Sequence, residues 1–238
     1  MLRLTLISDT HAKHHQLDGD LGTGDILLHA GDFMTDGYSQ TEARQFFEWF
    51  DGISGYDTKI FIAGNHDRVM QNEPETMRGI LTGYKTIEYL QDEECVLYLD
   101  GVNGDEPEQN IRIYGSPHQP EFYSWAFNLP RNGEELAEKW AAIPSNTDIL
   151  ITHGPAWGYN DTTQYRRDTH LGCELLRERI DVIRPKIHLV GHIHSGQGYY
   201  YDGHTHHFNA SVLNERYSYA NLPFTFNWNP ITNEIIWI

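Results

Sequence analysis

The chain has 238 residues, 39% of them hydrophobic and 13% aromatic, which suffices for one large core and excludes a disordered polyampholyte. Lys and Arg number 17 against 34 Asp and Glu, a formal charge of -17. Such a surface repels a phosphate backbone and an anionic bilayer, so neither extended nucleic acid nor a membrane is the expected partner.

Residues 2–7 open the fold as an apolar strand that stops at Ser8-Asp9-Thr10-His11. No P-loop or dinucleotide fingerprint follows, which removes the commonest nucleotide sites. A second strand, 26–30, stops at Gly31-Asp32. Residues 41–50 read as a helix over the sheet, with Phe46, Phe47 and Phe50 on one side and Thr41 as its cap. Strand 59–63 ends in Gly64-Asn65-His66-Asp67, and a helix over 72–81 starts near Pro74 and is ended by Gly83. Short strands are predicted at 86–90, 94–99 and 111–114, with an acidic exposed connection over 101–110; they imply an antiparallel edge or a second sheet. The segments 116–120 and 122–127, rich in Pro and aromatic residues, are expected to be irregular. Leu136, Trp140 and Ile143 predict a helix over 133–143. Strand 148–151 ends in Thr152-His153-Gly154, a loop rich in Tyr, Asp and Thr runs to Gly172, and a helix over 173–183 is broken by Pro185. Strand 186–190 ends in Gly191-His192-Ile193-His194; 198–201 and 206–210 make a hairpin turned by Asp202-Gly203, and 235–238 closes a sheet. Parallel strand-helix units with antiparallel hairpins imply one α/β domain over 1–238, with two mixed sheets face to face and helices outside. Cys95 and Cys173 are too few for a disulfide scaffold, no run of 18 apolar residues occurs, and no basic-then-apolar leader opens the chain, so a cytoplasmic protein is expected.

Five strands thus finish in Asp, His or Asn, groups that are costly to desolvate unless something pairs with them. Two divalent cations would pair with all of them. Asp9 and His11, two residues apart, can meet one cation from the same side. The two oxygens of Asp32 can bridge two cations, as an imidazole cannot. Asn65 offers a neutral carbonyl oxygen suited to Mn, Fe, Zn or Mg more than to a soft metal. His192 and His194 repeat the two-residue spacing between turn-permitting glycines, Gly191 and Gly196, and His153 completes the set. Singly these signals are weak, because strand-end Asp commonly caps or turns and His-x-His arises by chance among 14 histidines. Together they need seven separate structural explanations or one metal centre.

In that order, over residues 8–195, Asp9-x-His11, Gly31-Asp32, Gly64-Asn65-His66-Asp67, His153 and Gly191-His192-x-His194 resemble the signature of the calcineurin-like metallophosphoesterases. Thr152-His153-Gly154-Pro155, Gly172-Cys173-Glu174-Leu175-Leu176, Arg184-Pro185-Lys186 and Gly115-Ser116-Pro117 resemble the small brain-type members, which are class III cyclic-nucleotide-phosphodiesterase-like. The resemblance implies a four-layer sandwich, a first site of Asp9, His11, Asp32 and His194, and a second of Asp32, Asn65, His153 and His192. It implies that His66 is a non-ligating histidine beside the leaving group and that Asp67 orients its imidazole. Some brain-type proteins are similar but carry glycine in place of His192; this chain keeps the histidine, which implies a fully occupied, more active centre.

Two cations about 3.5–4 Å apart can hold a water between them, lower its pKa and clamp phosphoryl oxygens, so hydroxide would attack phosphorus in line while His66 protonates the departing alkoxide. No Gly-x-Ser-x-Gly elbow supports a serine hydrolase. The expected substrate is a small phosphodiester, cyclic nucleotides included, with Mn as the expected metal and Fe, Zn, Mg, Co or Ni as alternatives. The alternative functions are a phosphomonoesterase on nucleotides or phosphoproteins and a low-activity regulatory scaffold. Expected substrate contacts are His118 in its Pro-rich turn, Tyr159, Tyr165, Arg166 and Arg167 in the loop after His153, and Tyr199 after the His-x-His.

Overall fold

A computed structural model describes residues 1–99, 109–165 and 168–238. Most of the expected 101–110 connection, and Arg166 and Arg167, therefore lie outside the described residues. In chain order the elements are β1 (Leu2–Ile7), β2 (Gly24–His29), α1 (Gln40–Gly52), β3 (Tyr56–Phe61), α2 (Arg68–Asn72), α3 (Pro74–Leu81), β4 (Ile87–Tyr89), β5 (Glu93–Leu99) and β6 (Gln109–Ser116). There follow β7 (Gln119–Pro120), β8 (Asn128–Leu129), α4 (Glu134–Ala141), β9 (Ile149–Thr152), α5 (Glu174–Ile183), β10 (Ile187–Val190), β11 (Gly198–Tyr201), β12 (His206–Asn209), β13 (Phe224–Asn229) and β14 (Glu234–Trp237). One sheet has the order β14-β13-β1-β2-β3-β4 and the other β11-β12-β10-β9-β6-β5, while β7 and β8 pair apart from both. Strands β1 to β4 are parallel, as are β6, β9, β10 and β12, and antiparallel strands sit at the margins. Among the described residues no helix is long and apolar enough to cross a membrane.

The period-two alternation of the strands sorts their side chains into separate cores. Leu4, Leu6, Ile26, Leu28, Ile60 and Ile62 of the first sheet meet Ile113, Ile149, Ile151, Ile187, Leu189 and Phe208 of the second. Their neighbours Ile7, Leu27, Phe61 and Ala63 point the other way, against Phe46, Phe47 and Phe50 of α1 and Met77 of α3. Tyr114 and Leu150 likewise face Leu136 and Trp140 of α4 and Leu176 and Ile180 of α5. The outcome is four layers, helices on sheet on sheet on helices, in which each fully buried Leu or Phe contributes about 1.5–3 kcal/mol.

Four local expectations change. Ser39, not Thr41, caps α1, its hydroxyl accepting from the Glu42 amide at 3.3 Å. Ser116 still belongs to β6, and Gln119–Pro120 pairs in parallel with Asn128–Leu129, so the Pro-rich segment is partly regular; Pro120 ends a two-residue strand, where a missing N–H is tolerated. Phe224–Asn229 is a strand that sequence analysis leaves unassigned, although Phe-Thr-Phe-Asn-Trp-Asn alternates strictly and pairs along β1. The last strand starts at Glu234.

Candidate metal centre

The parallel strands β1, β2 and β3 release their chains at the rim where β9 and β10 release theirs, the usual place for a site in an open α/β sheet. The turn that follows is immediate. Asp9, His11, Asp32 and His192 all have positive φ, at 55°, 40°, 57° and 66°. Each such conformation costs about 1–3 kcal/mol and persists only where surrounding bonds impose it. The Asp9 amide donates to Gly31 O at 2.9 Å, His11 to Asp32 O at 3.0 Å and Gly191 to His153 O at 3.0 Å. Two glycines let these segments approach: a Cβ on Gly64 would lie 2.3 Å from Asp32 Oδ1, and one on Gly191 2.2 Å from Asp9 Oδ2.

Three histidines are held by the nitrogen that faces away from the centre. Nδ1 of His11 meets Met34 O at 3.0 Å, that of His153 meets Ala30 O at 2.8 Å, and that of His194 meets Asn214 O at 3.0 Å. A carbonyl only accepts, so each Nδ1 carries hydrogen and each Nε2 lone pair points inward, as in a ligand tautomer. Nε2 of His11 and of His194 are 3.2 Å apart. His153 Nε2 lies 3.0 Å from Asn65 Oδ1 and 3.3 Å from Asp32 Oδ2. His194 Nε2 is 3.5 Å from Asp9 Oδ1, and His11 Nε2 is 3.8 Å from Asp32 Oδ2. Ligand atoms of Asp9, His11 and His194 fall within 4.8 Å of one another, as do those of Asp32, His153 and His192 and those of His11, Asp32 and His66. The structure therefore brings all seven expected ligands together, with Asp32 in clusters on both sides.

Electrostatics follow the same division. Burial alone would lower His153, yet Asp32 pushes it up to about 9; His194, also buried, is raised to about 9 by Asp9. His11 and His192 are lowered by burial, to about 4 and about 3. Asp9 and Asp32 are held low against their burial, Asp9 chiefly by His194 and Asp32 by His153. Without a cation, protons take the places between carboxylate and imidazole that a cation would hold.

His66 and Asp67 part company. The His66 ring has Nδ1 on Thr35 O, stacks on Trp125 at 4.0 Å and 25°, and meets His11 edge-on at 4.6 Å. Its Nε2 is left for the cleft. The Asp67 carboxylate hydrogen-bonds backbone amides and not that ring, contrary to the expectation that it orients the imidazole. Its fully buried carboxylate accepts from the amides of Gly64 at 2.6 Å, Asp32 at 2.9 Å and Met34 at 2.9 Å, tying together the segments that carry Asp32 and Asn65. Burial and the Asp32 carboxylate push the Asp67 carboxyl up, and the three N–H donors favour its charged form.

A cleft of about 610 Å³ opens over the centre, lined by Asp32, Asn65, His66, His192 and His194 and rimmed by Phe122, Tyr123, Tyr165 and Tyr217. Three of the expected substrate contacts, His118, Tyr159 and Tyr199, are elsewhere. His118 is buried with Nε2 3.1 Å from Asp92 Oδ2. Tyr159 stacks on His207 at 3.7 Å, beneath Arg177, and its hydroxyl donates to Asp202. Tyr199 packs on Phe208 and Trp237. Loop position alone suggests each of these three, and packing claims it. Tyr165, expected from the loop after His153, does line the cleft. What sequence analysis misses is Trp125, the rim aromatics Phe122, Tyr123 and Tyr217, and the carbonyls of Ala30, Met34, Thr35 and Asn214; carbonyls belong to every residue and leave no compositional trace.

Hard oxygen and imidazole ligands in overlapping clusters, at the strand ends of a four-layer α/β sandwich, have the layout of a dinuclear metalloesterase. The profile of the calcineurin-like phosphoesterases matches residues 2–196, and the chain belongs to that family. It is 37% identical to human Metallophosphoesterase domain-containing protein 1 over 246 residues, covering 94% of this chain and 70% of that protein. The solved structure of TT1561 from Thermus thermophilus matches with a TM-score of 0.61 at 12% identity, covering 99% of this chain and 97% of that one. Phosphopantetheinyl hydrolase (PptH) from Mycobacterium tuberculosis gives 0.59 at 13% identity over 90% of each chain. These two likenesses show the fold alone. The family implies metal-dependent phosphoester hydrolysis at a dinuclear divalent centre, and the donors present fit it: inward Nε2 lone pairs fixed from behind, two carboxylates and one carboxamide oxygen.

Proposed function

We propose that the protein is a cytoplasmic phosphodiesterase for small phosphodiesters, cyclic nucleotides among them, working with manganese. The observation that carries this reading is Asp32 shared between clusters, with His66 Nε2 beside them at the wall of one cleft. In this reading Asp9, His11, Asp32 and His194 hold one ion and Asp32, Asn65, His153 and His192 the other. When bound, the two cations acidify a water and neutralise the phosphoryl oxygens. His66 keeps Nδ1–H on Thr35 O, so its imidazolium form would give the proton on Nε2 to the departing alkoxide and be left as the neutral Nδ1–H tautomer.

Charge supports a diester. Glu121 and Glu215 line the cleft, and the chain carries a formal -17. Arg131, the one Arg or Lys lining the cleft among the described residues, is already held by Glu174 at 2.6 Å and by the carbonyls of Leu171 and Gly172. A monoanionic diester is repelled less than a dianionic monoester or a polyanion, since bound cations neutralise charge only at the centre. Phe122, Tyr123, Tyr165 and Tyr217 offer faces for a base to stack on.

The test is a measurement of metal per chain together with kcat/KM in manganese. The panel comprises 2′,3′- and 3′,5′-cyclic nucleotides, nucleoside monophosphates, bis-nitrophenyl phosphate, glycerophosphodiesters and short single-stranded DNA. Two ions and a preference for the cyclic nucleotides are expected. A preference for monoesters, or for DNA over every cyclic nucleotide, defeats the substrate assignment.

A further inference from the structure

Gln119 is 1% exposed, yet its side chain lines the floor of the cleft together with Asn65 and Gly154. Its backbone is fixed by pairing with Asn128 across β7 and β8, with the amide donating to Phe127 O at 3.1 Å. The orientation of its carboxamide follows from its neighbour. Asn128 Nδ2 donates to Phe122 O at 3.1 Å and Tyr123 O at 2.8 Å, which turns Asn128 Oδ1 toward Gln119. Only Nε2 of Gln119 can donate to that oxygen, and it does so at 3.3 Å. Gln119 Oε1 is thereby committed to the other direction, where it is buried and has no hydrogen-bond donor. Flipping the amide would set two oxygens against each other.

A buried acceptor without a donor costs about 1–3 kcal/mol, and folded proteins leave few of them. This one lies beside Gly154, also part of the cleft lining, where a Cβ would sit 3.5 Å from Oε1, so Gly154 puts no side chain over it. Gly154 follows His153, a residue of the second ligand cluster. A carboxamide oxygen repels phosphoryl oxygens. What it pairs with is a neutral donor.

We infer that Gln119 is a specificity residue whose Oε1 accepts a hydrogen bond from a hydroxyl or N–H on the organic arm of the phosphodiester. The inference rests on the phosphodiesterase reading and adds what that reading leaves open, the requirement for a donor near the phosphoryl group. It also explains why the amide is anchored through Asn128 to Phe122 and Tyr123: the loop that forms the aromatic rim sets the direction of the acceptor.

The test uses thymidine 5′-(4-nitrophenyl) phosphate, its 3′-deoxy and N3-methyl analogues, and methyl 4-nitrophenyl phosphate, which has no donor. In the wild type, removing the donor that Gln119 reads lowers kcat/KM about tenfold. In Gln119→Met, checked for unchanged melting temperature and metal content, the ratio of kcat/KM between the thymidine diester and methyl 4-nitrophenyl phosphate falls by the same factor, and donor removal costs nothing more. A wild type indifferent to both analogues assigns Oε1 to a structural water and overturns the inference. So does an equal loss by the variant on both diesters. If the wild type hydrolyses none of the four, the phosphodiesterase reading fails separately, and calorimetric binding of thymidine 5′-monophosphate to the metal-loaded protein decides: tenfold weaker binding by the variant sustains Gln119, and equal affinity removes it.

Discussion

Replacing Asp67 separates a structural carboxylate from a catalytic one. Its two oxygens take three backbone N–H bonds at 2.6–2.9 Å with the side chain fully buried. Asp67→Ala leaves three buried donors unpaired at about 1–3 kcal/mol each, so a loss of roughly 3–9 kcal/mol is expected, a large part of a typical domain's stability. In Asp67→Asn the carboxamide oxygen can keep the Gly64 and Asp32 amides while its NH₂ confronts that of Met34, and about 2–3 kcal/mol is the expected cost. Because the Asp32 amide is one of the three, the bridging position loosens and metal affinity falls with stability. Urea unfolding, metal per chain and kcat/KM on a nitrophenyl diester, measured on both variants, check this. An Asp67→Asn protein with native stability and full metal content, but a hundredfold lower rate confined to poor leaving groups, would refute the structural role and show that Asp67 acts through His66.

Three further outcomes are expected. His66→Asn keeps its metal and slows hydrolysis about 100-fold, more for alkoxide than for nitrophenolate leaving groups; loss of metal would instead make His66 a ligand, consistent with its cluster with His11 and Asp32. With His153 and His194 raised to about 9 and therefore protonated near pH 7 without metal, loading the centre releases about two protons, and metal affinity climbs with pH until about 9. Calorimetry in buffers of different ionisation enthalpy reads the number, and zero release contradicts the assignment of those rings as ligands. Asp92, though raised by burial, is brought down to about 2 by hydrogen bonds from His118, Lys139 and Ser116, so it stabilises the fold above its unfolded value near 4 and ceases to as pH falls through about 2. Asp92→Asn should therefore cost about 2 kcal/mol at pH 7 and little at pH 2, read from urea midpoints at both.

Much of this protein could be read along the chain because strands with a two-residue period and five polar strand ends are local signals. Leu4 and Leu6 against Ile7, or Ile60 and Ile62 against Phe61, already announce a sheet with two buried faces. Other features had no such signal. Phe224–Asn229 carries the alternation but becomes a strand only by lying along β1, more than 200 positions away in the chain, a pairing no window of sequence contains. Tyr159 and Tyr199 occupy loops or edges that look like a cleft wall in one dimension, but stacking on His207 withdraws Tyr159, and Tyr199, still exposed, packs against Phe208 and Trp237 outside the cleft. Asp67 stands beside His66 in sequence, yet three amides, one from its own turn and two from the segment after β2, take both of its oxygens. The sequence by itself determined which side chains can bind metal and in what order they leave the sheets, because ligand chemistry and strand period are properties of neighbouring residues. Tertiary structure alone decided which nitrogen of His11, His153 and His194 faces inward, what Asp67 holds and where Gln119 points, because each depends on a backbone group brought from elsewhere in the chain.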